Sequence, residues 1–156
     1  MQRAGRWLWG GLAAAVVVPE FIGSVRIVKD DSMYPDLHRG DFVLLDRFSV
    51  RVCRAIPRNS VFSYRSPQNP GEQAISRVIG LTNDWIVRDG NSRALVPEGN
   101  VWLENSNSSS TTGHCGALPA ALVDARVTWI VWPPARFGPV GHSHDTGRLR
   151  TSIWDP

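Results

Sequence analysis

Residues 1–6 carry two arginines and no acid, and from Trp7 to Val18 the chain then turns wholly apolar. Pro19 and Glu20 interrupt the run, which resumes at Phe21 and Ile22. An uninterrupted bilayer span takes about 20 apolar residues, so three readings stand side by side. A cleavable signal peptide fits the short apolar core behind a basic start. A membrane anchor fits if the helix runs on to about Val28, with Trp7 and Trp9 at the level of the headgroups. The third reading is a buried helix. The anchor is carried forward as the expectation.

After Gly23 the helical pattern gives way to strand patterns. Short alternating or apolar runs predict strands over 24–28, 40–46, 60–64, 74–80, 85–88, 101–103 and 126–132. Turn residues separate them, as in Ser66-Pro-Gln-Asn-Pro-Gly71, Asp89-Gly-Asn-Ser92 and Pro97-Glu-Gly-Asn100. Many short strands without helical periods between them predict a mainly β domain, a barrel or sandwich. The polar stretch 105–112 reads as a mobile loop. The organisation expected is an N-terminal basic and apolar anchor over 1–23, a β domain over 24–138 and a loose C-terminal tail over 139–156.

Composition narrows the function classes. Of the 156 residues 42% are hydrophobic and 20% charged, which excludes a wholly disordered chain and a polytopic membrane protein. The net charge of +3 is spread along the chain, and no basic stripe with interleaved aromatics marks a nucleic-acid binder. Cys53 and Cys115 fit no metal or redox spacing, and the four histidines, two of them His142 and His144, supply too few ligands for a metal site. Neither a metal nor another cofactor is expected. Lys29 is the one lysine in the sequence, so a mechanism that needs a lysine base has one candidate.

The sharpest motif is Asp31-Ser32-Met33-Tyr34-Pro35-Asp36-Leu37, followed by Arg39-Gly40-Asp41 and the apolar run that begins at Phe42. Read alone, Ser32 is an ordinary turn serine. Behind an N-terminal apolar segment the motif resembles the type I signal peptidase family, peptidase S26. Gln73-Ala-Ile-Ser-Arg-Val-Ile-Gly-Leu81 is similar to that family's second signature, and Val96-Pro-Glu-Gly-Asn-Val-Trp-Leu-Glu104 to its third. Trp129-Ile-Val-Trp-Pro-Pro-Ala-Arg136 resembles the closing strand of mitochondrial members, those of inner membrane protease subunit 2 type above all. The resemblance covers roughly residues 20–138.

The resemblance implies a signal-peptidase-like β domain with a membrane-anchor helix, and a serine nucleophile at Ser32. Met33 and Pro35 match the residues that shape its turn, and the Ser32 backbone N–H matches an oxyanion donor. Gly40, Asp41, Arg77 and Gly80 match structural positions of the motifs. The family's base is a neutral lysine on a neighbouring strand, and its position holds Ser76 here, with Arg77 next. A serine hydroxyl is no general base, and arginine does not deprotonate in proteins. Lys29 lies three residues before Ser32 on an extended segment, which sends its side chain to the opposite face; His38 and His114 are the remaining basic groups nearby. Two residues before the nucleophile, where the family carries Gly or Ser, stands Asp30, and the Gly-Asp after the third motif reads Asn105-Ser106. Arg77 is read as a structural arginine paired with an acid such as Asp84.

The first function implied is a membrane-anchored serine endopeptidase subunit removing presequences or sorting signals from mitochondrial precursors. It would sit in the inner membrane, facing the intermembrane space, beside a second protease subunit in a hetero-oligomer. The alternative, from another class, is a catalytically silent paralogue that supports or directs an active partner subunit. The discriminator is whether a basic nitrogen lies within about 3.2 Å of Ser32 Oγ, the reach of proton transfer.

Overall fold

The computed structural model describes residues 23–69, 71–87, 93–107, 116–141 and 149–150. The apolar run 7–22, and the anchor expected from it, lie outside the described residues. Among the described residues no helix is long and apolar enough to cross a membrane.

The chain is mainly β. The larger sheet runs in the order β1 (Ser24–Ile27), β2 (Phe42–Asp46), β9 (Val123–Trp132), β3 (Val61–Arg65), β4 (Gln73–Gly80), β7 (Asn100–Glu104), β8 (Gly116–Pro119). The two-residue strand β10 (Gly138–Pro139) pairs with β9 off this path. A smaller sheet joins β5 (Trp85–Val87) to β6 (Arg93–Leu95) and to β11 (Leu149–Arg150), which comes from the segment read as a tail. Neighbouring strands pair antiparallel throughout. One turn of helix, α1 (Phe48–Arg51), follows β2.

The barrel allowed by the strand pattern does not close, since β1 and β8 end the sheet at opposite edges. Closure depends on which strands pair and with what stagger, and neither is written in the alternation of single strands. Register shifts at Phe42/Val43, Leu44/Leu45, Ser63/Tyr64 and Val78/Gly80 bend the sheet instead.

Packing explains why β4 reads as continuous rather than alternating. Seven of its eight residues are buried, because it lies between β3 and β7 with side chains covered on both faces. Two of the core clusters lie wholly against the larger sheet and its loops. One, around Val43, Leu45, Val61, Ile75 and Val127, also receives Met33 and Leu37 from the loop between β1 and β2. The other is built on Phe62, Tyr64, Val78 and Leu103. Fully burying side chains such as Val28, Met33 and Leu37 contributes about 1.5–3 kcal/mol each, so the loop that carries Ser32 is fastened to the core on both sides of the serine.

Candidate functional site

Residues 28–41 leave β1, cross the end of the sheet and return into β2. Backbone bonds close the loop at its base, Val28 N–H to Asp41 O at 2.8 Å and Gly40 N–H to Val28 O at 2.9 Å. Gly40 takes φ +94° in the turn, a conformation that side chains rarely adopt. Its neighbour Asp41 is buried and accepts from His38 N–H at 2.9 Å and from Arg136 Nη1 at 2.6 Å. Burial pushes the Asp41 carboxyl up from its ordinary value, against the pull of that guanidinium. Arg136 Nη2 also reaches Asp36 O at 2.9 Å, so one arginine ties the end of the larger sheet to two points of the loop.

Ser32 is 1% exposed. Its hydroxyl faces Asp30 Oδ1 at 2.5 Å and Ile75 O at 3.2 Å, and its one proton goes to the nearer carboxylate. The same Asp30 oxygen accepts from the Ser32 backbone N–H at 3.0 Å. The group expected as oxyanion donor is therefore already engaged by a negative charge. An Asp accepting from the N–H two residues on is a common turn device, which explains why the chain folds this way locally.

Ser76, at the position where the resemblance places a lysine, lies on β4 beside Ile75, whose carbonyl faces Ser32. It is fully buried; its hydroxyl donates to Asn105 Oδ1 at 2.8 Å, with the Tyr64 hydroxyl 3.4 Å away. The groups that meet the Ser76 hydroxyl are thus neutral ones. Arg77, next on β4, pairs with Asp36 at 2.9 Å and donates to Asn59 O and Gly141 O. The acid it meets is Asp36, whereas Asp84 is held by both arms of Arg58 at 2.9 and 2.8 Å. Asp36 also accepts from Ser106 Oγ at 2.7 Å.

Of the residues read from the sequence, Ser32, Met33 and Pro35 share the loop, with Ser76 and Arg77 on the strand beside it. Met33 is buried in the core, Pro35 is exposed, and Gly40 and Asp41 close the loop. Gly80, at the far end of β4, packs against Ile86 and Trp102 rather than near Ser32. Lys29 is exposed and borders a small cleft with Arg26, Ile27, Asp30, Gln73 and Ile75. Among the described residues no lysine, arginine or histidine nitrogen bonds Ser32 Oγ. His38 Nδ1 is buried without a partner, its ring set edge-on against Tyr34 at 4.9 Å. His114, Cys115, His142 and His144 lie outside the described residues.

Sequence reading missed the part played by Asn107. Its N–H donates to Ser32 O at 2.9 Å and its side-chain amide to Asp31 O at 3.1 Å. The start of the polar stretch after β7 therefore holds the serine loop, a role that low complexity conceals. Asp36 and Arg136 were likewise invisible as partners, because they lie 100 positions apart and meet only in the fold. Among the described residues no group of three or more His, Cys, Asp or Glu could hold a metal ion.

Comparison with known proteins adds a second line. The family model described as signal peptidase, peptidase S26, matches residues 1–92. The chain is 35% identical over 138 residues to mitochondrial inner membrane protease subunit 1 of Xenopus tropicalis, covering 84% of this chain and 81% of that protein. It is 34% identical over 149 residues to mitochondrial inner membrane protease subunit 2 of Danio rerio, covering 90% and 81%. Mitochondrial ATP-independent inner membrane protease subunit 1b of Arabidopsis thaliana is 33% identical over 135 residues, covering 80% and 79%.

Proposed function

The chain belongs to the signal peptidase family, peptidase S26, and from that premise we propose that it is a non-cutting subunit of a presequence-processing complex at the mitochondrial inner membrane. In this reading the β domain faces the intermembrane space, engages precursor segments and supports a partner subunit that carries out cleavage.

One observation carries the reading: Asp30 Oδ1 takes both the hydroxyl and the backbone N–H of Ser32. Attack on a peptide carbonyl needs a base for the hydroxyl and a donor for the oxyanion. Here a single carboxylate occupies both. Charge developing about 4 Å from it would be opposed by about 4 kcal/mol at an effective dielectric near 20, roughly a thousandfold in rate. The other support is Ser76, which bonds Asn105 and brings no titratable nitrogen to the site.

The 2.5 Å contact also favours a second reading, an active serine endopeptidase in which Asp30 takes the Ser32 proton in place of lysine. Cleavage of a presequence peptide by wild type and Ser32→Ala, each with and without a co-expressed signal-peptidase-type subunit, separates the two. The silent subunit gives no cutting alone, and partner-dependent cutting that Ser32→Ala leaves unchanged. Cutting by the isolated wild type that Ser32→Ala abolishes would establish the second reading and overturn the first.

A further inference from the structure

Between Asp46 and Glu72 the chain carries five arginines and no acid. Three of the five, Arg47, Arg51 and Arg54, lie on α1 and at its two flanks. Val50 turns inward to the cluster of Phe62 and Tyr64, and Ile56 packs against the same cluster, so the segment is held from beneath. What it leaves outside is basic and apolar together. Arg47 Nε meets Asp124 Oδ2 at 3.3 Å, and Arg51 Nη2 meets Asp124 Oδ1 at 2.6 Å. The Asp124 side chain is 7% exposed and that of Arg51 49%, so a sunken carboxylate holds two guanidiniums that reach outward from it. Two positive charges against one leave an excess, and each guanidinium keeps N–H donors beyond the one that Asp124 takes. Arg54 follows at φ +50°, exposed, and bonds no acid among the described residues. Beside these cations Phe48 and Val52, one helical turn apart, are 45% and 54% exposed.

We infer that α1 and the turn after it dock an acidic segment of the partner subunit, one in which Asp or Glu side chains stand next to an apolar residue; the inference rests on the partner subunit proposed above. A guanidinium presents its donors in a planar fork that matches a carboxylate, and Asp124 fixes two such forks before any partner arrives. Pre-ordering of this kind lowers the side-chain entropy that association costs. Arg and Phe are also residue types that concentrate in protein interfaces. A free anion would leave Phe48 and Val52 in water, whereas an acidic segment with an apolar residue covers both kinds of group at once. Attraction to an anionic lipid surface depends on the number of charges near it and not on their arrangement, so guanidiniums set by a buried acid favour a protein occupant. The position suits the role. The Ser32 loop enters β2 at Phe42 and α1 leaves it after Asp46, about 13 Å apart at 3.3 Å per residue. A partner seated on α1 therefore leaves the serine loop and the cleft beside it open to a precursor.

The test uses the full chain and the co-expressed signal-peptidase-type subunit of the cleavage assay, purified together in detergent with phospholipid. Affinity between the two is measured by sedimentation for wild type, for Arg54→Glu, and for Arg93→Glu, the same charge reversal at an exposed position of β6. Arg54→Glu is expected to weaken the pair about tenfold or more, the scale of an interface hot spot, and Arg93→Glu to leave it unchanged. A photoreactive benzoyl-phenylalanine in place of Phe48 or of Val52 should crosslink to the partner, on a peptide that contains Asp or Glu. Equal affinities for all three chains would overturn the docking surface alone. Crosslinks that land on lipid, or on a partner peptide without acids, would do the same. Absence of any complex between the wild type and that subunit would overturn the partner reading and this inference with it. Arg54 lies outside the helix and the two crosslinking positions are exposed, so each arm reports even if another variant folds poorly.

Discussion

Asp30 Oδ1 lies 2.5 Å from Ser32 Oγ and 3.0 Å from Ser32 N, so one carboxylate oxygen holds both groups that a serine nucleophile would need free. Asp30 and Ser76 stand on two elements that touch through Ile75, whose carbonyl faces the Ser32 hydroxyl.

Removing the clamp and restoring a base should act together. Asp30→Gly with Ser76→Lys is expected to raise presequence-peptide cleavage by about 10²-fold or more, the ordinary contribution of a positioned general base. Asp30→Gly alone should give no cleavage. Loss of a measurable wild-type activity on Asp30→Asn would instead identify Asp30 as the base.

Arg77 joins the serine loop to the core through Asp36, Asn59 O and Gly141 O, with its side chain 3% exposed. Deleting one partner of a buried pair costs about 3–5 kcal/mol. Arg77→Ala should therefore lower the melting temperature by about 10 °C or more. Asp36→Asn should cost less, since Asp36 is more exposed and keeps a bond from Ser106.

Acid sensitivity should trace to Asp124. Burial raises its pKa, but the hydrogen bond from Arg51 and the charges of Arg47 and Arg51 outweigh burial and hold it below its ordinary value. Its folded value lies under the unfolded one, near 3.9. The stability it supplies is full above that pH and is lost as pH falls through the lowered folded value. Melting temperatures measured from pH 6 to about pH 3 should fall at the acid end, and Asp124→Asn should flatten that limb.

Gly80 is needed for space. A Cβ there would come within 2.6 Å of Ile86 Cδ1, inside a cluster with Trp102 and Ile79. Overpacking of this kind costs about 1–3 kcal/mol, so Gly80→Ala should destabilise by that amount in urea unfolding. Ile86→Val removes the clashing methyl and should recover part of the loss in the double variant, a non-additivity expected of touching residues.

The strands β2, β3 and β4 and the part of β9 over 126–132 were legible because alternation and burial leave a local record in each segment. The short strands β6, β8, β10 and β11 were not. None of these four segments carries an alternating or apolar run that sets it apart from its surroundings, and their pairing is imposed by neighbours.

By itself the sequence determined the mainly β class, the Ser32 motif and the absence of a lysine beside Arg77, since each is a matter of residue identity and short spacing. Only the tertiary structure decided that Arg77 pairs with Asp36 and not Asp84, and that Asn107 fastens the serine loop. It alone turned Asp30 from a nearby charge into a cap on both Ser32 groups, and set Arg47 and Arg51 on the one buried carboxylate of Asp124. Hydrogen bonds and ion pairs of this kind depend on distances of a few ångströms between residues far apart in the chain, and strand register, which no single segment encodes, sets those distances.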